Sequence, residues 1–219
     1  SPDGTRLVFT RPVIDNEKRP YSQTEVYILD LTWLKYELVL KGPWLNTVQW
    51  TPQGDGLLIL GGVSAFGEIG RNLPSGFIPN EYDSQAYLYN LESKKAICLT
   101  KTFNPSIEEA YWGNEGNSLY FITGDRSFRK LYRFDLRSRN LVAVDTGIEV
   151  INRFALAENA PRAVYSGSSA AVPVKAYSID LDSYRFKTIS DPSQADFSVV
   201  KFGRVDRWTF RNKRGQEIE

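Results

Sequence analysis

The sequence predicts an all-β fold built from four-stranded antiparallel sheets, and two recurring marks carry this prediction. The first mark is a polar turn followed by an aliphatic-aromatic strand. Its copies start at Ser1, Thr51 and Gly113, with a fainter copy at Glu158. The second mark is a tyrosine-bearing strand that closes on Asp-Leu or Asn-Leu. Its copies are Val26–Leu31, Tyr87–Leu91, Leu131–Leu136 and Ala176–Leu181.

The spacing of the second mark gives the length of the repeat. Asp30 and Asn90 are 60 positions apart, and Asn90, Asp135 and Asp180 follow at intervals of 45. A repeat of about 40–50 residues with several strands per copy is typical of β-propeller blades. We therefore predict a partial β-propeller of about four blades, with almost no helix.

Each predicted blade contains runs of Tyr, Phe, Val, Ile and Leu bounded by Gly, Pro, Asn and Asp, which is the pattern of short strands. Trp50 and Trp112 stand directly before a polar turn, at the end of the first strand of a blade. A large aromatic side chain at this place is expected to pack between neighbouring blades. The predicted blades span 1–43, 44–104, 105–148 and 149–195.

Composition narrows the classes of partner. The chain has 219 residues with 27 basic and 26 acidic side chains, a net charge of +1. This balance gives no electrostatic reason to expect nucleic acid or an anionic membrane as a partner. The sequence contains no run of 18 consecutive apolar residues, so it predicts no transmembrane helix. Cys98 is the single cysteine, so no disulfide can form within the chain, and its apolar strand context predicts a buried, inert thiol.

The sequence offers little catalytic machinery. It contains no histidine, which excludes a Ser-His-Asp triad within this chain. The segment Gly62–Phe66 begins like a nucleophile elbow around Ser64 but lacks the closing glycine. No Cys/His cluster indicates a zinc site. We therefore expect no catalytic residue, no metal site and no cofactor in this chain.

Two adjacent carboxylates, Glu108 and Glu109, could together bind an amine. Neighbouring residues on a regular strand point to opposite faces of the sheet, however. We therefore expect one of these glutamates to be solvated and the other to be structural.

The second blade is about 15 residues longer than the third and fourth, and the excess lies in 63–84. This segment is rich in Gly and Pro and breaks the strand alternation. A long loop inside a compact repeat is usually functional or mobile. A shorter insertion with similar composition is predicted at Arg11–Tyr21.

The composite pattern resembles the N-terminal propeller of the prolyl oligopeptidase family of serine peptidases, in its dipeptidyl-peptidase and acylaminoacyl-peptidase branch. One element of the resemblance is the turn-strand motif, intact at Ser1–Phe9 and degraded at Thr51 and Gly113. The other is Trp208–Ile218, which is similar to the strand-turn-strand by which these enzymes enter their α/β-hydrolase domain. TolB-like propellers share the first element, so it has weak specificity.

The resemblance implies that 196–219 is an exit segment toward a C-terminal α/β-hydrolase domain that would carry the catalytic triad. It also implies a peptide substrate in the full protein and favours a periplasmic or secreted location over a cytoplasmic one. Charged side chains on propeller insertions hold the peptide's amine and carbonyl in the dipeptidyl branch. The corresponding candidates in the 63–84 insertion are Glu68, Arg71, Glu81 and Asp83.

Alternatives remain open from the sequence. The 63–84 insertion could be a solvated loop without a role in recognition. The whole chain could be a non-enzymatic TolB-like or WD-like propeller that serves as a protein-interaction scaffold. Whether or not the chain belongs to an enzyme, four blades leave two terminal sheet faces to cover, so we expect self-association.

Overall fold

The computed structural model describes residues 1–74 and 76–219, without the side chain of Asp196. Its chain forms four antiparallel sheets in sequence order, which confirms the predicted all-β, partial-propeller fold. Helix is confined, in these residues, to one 3-10 turn at Gly67–Gly70 and one short helix at Ser193–Asp196. No helix in the described residues has the length and apolar character needed to cross a membrane.

The first sheet has three strands, β1 to β3, in the order β1-β2-β3. The Arg11–Tyr21 segment, predicted as an insertion, begins as strand, because β1 continues to Ile14, and its other seven residues form the connection to β2. Pro12 is tolerated there because β1 lies at the edge of the sheet, where a missing N–H breaks no ladder. The strands are β1 (Arg6–Ile14), β2 (Ser22–Asp30) and β3 (Lys35–Gly42).

The second sheet has four strands in sequential order, β4 to β7. Its β5 is completely buried along its length, which explains the uninterrupted aliphatic run in that segment. The long insertion connects β5 to β6. The strands are β4 (Leu45–Trp50), β5 (Gly56–Gly61), β6 (Gln85–Asn90) and β7 (Lys95–Cys98).

The third and fourth sheets repeat this arrangement. One parallel residue pair, Arg129 with Val150, joins them into a continuous eight-stranded ladder. The third sheet comprises β8 (Ser106–Trp112), β9 (Ser118–Asp125), β10 (Phe128–Asp135) and β11 (Leu141–Val144). The fourth comprises β12 (Val150–Leu156), β13 (Arg162–Ser169), β14 (Val172–Asp180) and β15 (Phe186–Ser190).

The Asp or Asn that closes the second sequence mark caps the turn that follows it. Asp30 Oδ1 accepts the backbone N–H of Trp33 at 2.9 Å, and Asp135 Oδ1 accepts that of Ser138 at 2.8 Å. In the same way, Asn90 Oδ1 accepts the backbone N–H of Ser93, and Asp180 Oδ1 accepts that of Ser183. A short carboxylate or amide side chain that caps its own turn stabilises the hairpin between the third and fourth strands.

Three apolar clusters lie between consecutive sheets and form the core. The first joins Val26 to Leu57 and Ile59, the second joins Leu60 to Phe121, and the third joins the third sheet to the fourth. Trp50 packs against the first cluster and Trp112 against the second, as the sequence predicts.

The chain leaves the repeat after β15. Residues 201–209 form no strand or helix, and a small hairpin follows, made of β16 (Phe210–Arg211) and β17 (Glu217–Ile218). Gly215 has φ +76 in the connecting turn, a conformation that favours glycine.

Candidate functional site

The long insertion lies at one edge of the sheets, which we call the insertion edge. It is the edge where second strands turn into third strands and where first strands begin. The Ser84 N–H donates to Ser106 Oγ at 3.0 Å, and Asn46 Nδ2 donates to Ser84 Oγ at 3.1 Å. These bonds tie the end of the insertion to the starts of β4 and β8.

The beginning of the insertion is anchored by contacts with the buried Tyr87. Phe66 packs on Tyr87, with ring centroids 5.0 Å apart, and the Tyr87 hydroxyl donates to the Gly62 carbonyl at 2.9 Å. Burial of Tyr87 raises the pKa of its phenol well above the ordinary value, so the hydroxyl remains a donor. Both ends of the insertion are therefore anchored to the second sheet.

Glu68 and Arg71 pair with each other across the 3-10 turn. Arg71 Nη1 lies 3.1 Å from Glu68 Oε1, and the second terminal nitrogen of Arg71 donates to the Phe77 carbonyl. The Arg71 side chain is 24% exposed, whereas that of Glu68 is 79% exposed. Arg71 Nε is buried without a hydrogen-bond partner in the described residues. Arg71 therefore ties the insertion together while one of its donors stays unused.

Glu81 and Asp83 differ in their surroundings. Glu81 Oε2 accepts the backbone N–H of Ser64 at 3.0 Å, which links the two ends of the insertion. Among the described residues, the Asp83 carboxylate has no hydrogen bond or ion pair. It lines an open cleft of about 510 Å³ beneath the insertion, together with Asn72, Phe77 and other residues. Glu81 therefore supports the loop, and Asp83 is a carboxylate that a ligand can reach.

The cleft itself mixes amide groups with apolar side chains. Its amides come from Asn72, Asn80, Gln85 and Asn104, and Phe103 adds an aromatic wall. Backbone amides of an extended peptide could bond to the side-chain amides, while the apolar walls could take up a side chain.

A β-bulge recurs where the first strand of a sheet begins. The pairing register shifts between Leu45 and Thr47 in the second sheet, between Ile107 and Glu109 in the third, and between Ile151 and Arg153 in the fourth. One extra residue stands at each bulge, and these residues are Asn46, Glu108 and Asn152. A bulge re-aims side chains, so each sheet presents additional polar groups at the insertion edge.

The bulge in the third sheet overturns the expectation that Glu108 and Glu109 point apart. Both carboxylates contact one guanidinium: Arg129 Nε lies 2.5 Å from Glu108 Oε2, and Arg129 Nη2 lies 3.0 Å from Glu109 Oε1. The extra residue cancels the alternation that a regular strand would impose. Arg129 Nη1 also donates to the Ile151 carbonyl at 2.5 Å, so the cluster joins the third sheet to the fourth.

Tyr111 extends this acidic cluster inward. Its hydroxyl contacts the Glu109 carboxylate and lies 3.2 Å from the Phe154 carbonyl. Burial, followed by the bond to Glu109, raises the pKa of Tyr111 to about 12. With Arg129 and Tyr111 in place, Glu109 is satisfied within the protein, which leaves it little capacity to bind a ligand amine.

The segment 196–219 returns to the insertion edge of the third sheet. Arg207 Nη2 lies 3.2 Å from Glu149 Oε1, and its guanidinium sits 4.1 Å from the centroid of the Phe128 ring. Arg126, in the turn between β9 and β10, pairs with Glu217 at 3.2 Å. The insertion, the Arg129 cluster and this segment therefore lie along one edge of the sheets.

Of the four sequence candidates, the structure brings Glu68 and Arg71 together, directs Glu81 into the loop and leaves Asp83 facing the cleft. Sequence reasoning missed Arg129 and Arg207. The run Phe128–Lys130 is a weak signal for Arg129, since it places two cations next to an aromatic at the start of a strand. No group of His, Cys, Asp and Glu suited to a metal ion occurs in the described part of the chain.

Searches with the sequence find no matching family model and no matching curated protein. Solved structures match the fold. TolB from Acinetobacter baumannii is 15% identical over 98% of this chain, with a TM-score of 0.62. A mutant of puromycin hydrolase complexed with PGG is 17% identical over 99%, with a TM-score of 0.67. A puromycin-hydrolyzing peptidase from Mycobacterium tuberculosis is 14% identical over 87%, with a TM-score of 0.62.

This chain has a propeller fold shared by TolB and by puromycin-hydrolysing enzymes. At these identities the likeness shows the fold and leaves the function open. The chain spans 45% of the TolB structure, 32% of the puromycin hydrolase structure and 27% of the mycobacterial peptidase structure.

Proposed function

We propose that this chain is the non-catalytic, substrate-gating propeller portion of a larger serine peptidase that hydrolyses short peptides. The observation that carries the proposal is the insertion at 63–84, which overhangs a cleft with a reachable carboxylate at Asp83. A free peptide carries an ammonium group, and a carboxylate binds such a group through charge-assisted hydrogen bonds. The structural likeness to puromycin-hydrolysing enzymes supports the same reading.

In this proposal the catalytic residues lie outside this chain. The chain contains no histidine, and Ser64 stands in a segment without the second glycine of a nucleophile elbow. The purified 219-residue chain should therefore leave chromogenic dipeptide substrates intact. Turnover by this chain that a serine-directed inhibitor blocks would contradict the proposal.

The recognition role is tested in the full-length enzyme with Glu68→Ala, Arg71→Ala, Glu81→Ala and Asp83→Ala made singly. A side chain that holds the amine or a carbonyl should lower kcat/KM by roughly ten-fold or more, since a charge-assisted bond contributes about 1.5–3 kcal/mol. Glu92→Ala is the matched control, because Glu92 lies in the turn at the opposite edge of the same sheet. If all four variants stay within about two-fold of the parent on several peptides, the insertion has no direct role in recognition.

A scaffold of the TolB kind is the second candidate, and the likeness to TolB over 98% of the chain favours it. A scaffold would use the insertion edge to bind a folded protein partner. The coding sequence that follows Glu219 separates the candidates: a peptidase continues into an α/β-hydrolase domain with a nucleophile elbow, and a scaffold does not.

A further inference from the structure

The third sheet departs from the second at one pair of residues that face each other across neighbouring strands. The pair includes the residue two positions before the closing Asp or Asn of the second sequence mark. In the second sheet it is Leu58 with Leu88, and both side chains pack in the core between the second and third sheets. In the third sheet it is Tyr120 with Arg133. Packing between sheets is satisfied by two leucines at this place, so it does not account for the arginine.

Tyr120 and Arg133 line a cleft of about 330 Å³ between the third and fourth sheets, at the edge opposite the insertion edge. Asn114 Nδ2 donates to the Ala160 carbonyl at 2.8 Å, which ties the turn of one sheet to the turn of the next beside the cleft. Both walls come from adjacent sheets of this chain, so no further sheet is needed to form them. A cleft of this volume suits a small molecule.

Arg133 brings a guanidinium with open donors to this cleft. Its side chain is 33% exposed, and its one bond to a carboxylate among the described residues joins Nη2 to Asp135 Oδ2 at 3.5 Å. Asp135 already uses its other oxygen to accept the backbone N–H of Ser138. A guanidinium has five N–H donors in a planar fork. Arg133 therefore keeps donors that the carboxylate of a ligand can take in paired geometry.

Tyr120 is only 5% exposed, and charges of both signs surround it in the cleft. Burial raises the pKa of Tyr120, Tyr184 and Asp182 of the fourth sheet raise it further, and Arg133 lowers it. Because the net direction is upward, the hydroxyl stays protonated and can donate to a ligand. Glu115 adds a second carboxylate to the cleft. Neither Glu115 nor Asp182 uses its side chain in an ion pair or hydrogen bond with the described residues.

This set of charges selects the class of ligand. A simple anion would meet Arg133 but also two carboxylates, and a simple cation would meet the guanidinium. A neutral molecule would leave all three charges without a partner. A small molecule that carries a carboxylate and an ammonium group close together satisfies both signs. Pro161 and Leu181 line the same cleft and offer contact to an aliphatic side chain.

We propose that this cleft binds a free α-amino acid with an apolar side chain. The carboxylate of the amino acid accepts hydrogen bonds from the Arg133 guanidinium and the Tyr120 hydroxyl, and its ammonium group donates to Asp182 and Glu115. The site lies at the edge opposite the insertion and shares no residue with the cleft assigned to peptide recognition. The inference therefore does not depend on the proposed function.

Isothermal titration calorimetry of the purified chain with L-leucine tests the proposal. Leucine should bind with a millimolar or lower Kd. N-acetyl-leucine lacks the ammonium group and leucinamide lacks the carboxylate, so each should bind at least roughly ten-fold more weakly than leucine. Equal binding of the three compounds would overturn the proposal. So would the absence of any leucine binding at roughly 20 mM, a concentration that fills a millimolar site.

Variants assign the binding to this cleft. Arg133→Leu gives the third sheet the side chain that the second sheet has at Leu88, so it should fold, and it should bind leucine at least roughly ten-fold more weakly. Arg137→Leu is the matched control, because Arg137 is exposed in the next turn and lines no part of the cleft. It should bind leucine like the wild type.

The double variant Asp182→Asn with Glu115→Gln tests the ammonium end. Both residues are exposed in turns, so this variant leaves the interior unchanged and decides the question even if Arg133→Leu fails to fold. It should also lose roughly ten-fold in leucine affinity while its affinity for N-acetyl-leucine changes little. Circular dichroism checks that each variant is folded. Folded variants that bind leucine as tightly as the wild type would overturn the proposal.

Discussion

Arg129 Nη2 lies 3.0 Å from Glu109 Oε1, and Arg129 Nε bonds to the carboxylate of Glu108, which directly precedes Glu109 in the chain. Two adjacent residues of a strand can share one partner only because the β-bulge at the start of β8 re-aims one of them. The same guanidinium bonds to the Ile151 carbonyl in the fourth sheet. This cluster therefore fixes how two neighbouring sheets meet at the insertion edge.

Arg129→Gln should destabilise the chain by about 1–2 kcal/mol, because two carboxylates are left side by side without their shared cation. The partial exposure of both glutamates keeps the loss at the lower end of the usual range. Urea unfolding followed by tryptophan fluorescence measures the change. Arg126→Gln is the control, since its ion pairs are exposed, and it should cost less than about 0.5 kcal/mol. Equal losses for the two variants would show that the cluster has no special weight.

Glu25 should make the chain sensitive to acid. Hydrogen bonds from Lys41, Tyr27 and Arg11 lower its pKa to about 2, from 4.5 in an unstructured chain. A carboxylate with a depressed folded-state pKa contributes stability that is complete above pH 4.5 and is lost as the pH falls from 4.5 toward 2. The urea midpoint of the wild type should therefore fall more steeply over this interval than that of Glu25→Gln. Parallel curves for the two proteins would refute this assignment.

Gly70→Ala should disturb the 3-10 turn that carries Glu68 and Arg71. A Cβ atom at Gly70 would lie 2.0 Å from the Tyr87 hydroxyl and 2.6 Å from the Val63 carbonyl, both of them buried. Overpacking of this kind costs about 1–3 kcal/mol. Gly203→Ala has no atom within 4 Å of its new Cβ and should be nearly neutral in the same thermal unfolding experiment. A melting temperature for Gly70→Ala equal to that of Gly203→Ala would mean that the turn adapts freely.

Glu81→Ala should loosen the insertion without unfolding the sheets. It removes the acceptor of the Ser64 N–H, and the loss of one such bond costs about 1 kcal/mol. Limited proteolysis with mass spectrometry should show faster cleavage within 64–82 and unchanged cleavage elsewhere. Glu68→Ala is the comparison, because its largely exposed carboxylate pairs with Arg71 alone and should change the cleavage rate little. Cleavage of both variants at the wild-type rate would argue against a supporting role for Glu81.

The candidate site was predictable in part. Glu68, Arg71, Glu81 and Asp83 could be selected because 63–84 departs from the repeat and carries charges of both signs. Their different surroundings were not predictable, since the bond from Ser64 to Glu81 spans the whole loop and depends on how its two ends are anchored. The role of Arg129 was not predictable for the same reason, because its partners lie 20 and 21 residues earlier and 22 residues later in the chain.

The amino-acid sequence specifies the succession of strands and turns. Alternation of apolar and polar residues specifies a strand over a few positions. An Asp such as Asp30 caps the turn that follows it by accepting a backbone N–H three residues later. Both effects are local. The tertiary structure alone decided which groups meet. The bulge before Glu109 inverts a local rule. The stacked pairs Phe9–Tyr27 and Tyr165–Tyr177 stand at equivalent positions of the first and fourth sheets, yet Phe9 is exposed and Tyr165 is buried, because residues of the third sheet pack on Tyr165. Both outcomes depend on contacts between segments far apart in the chain, which no local pattern encodes.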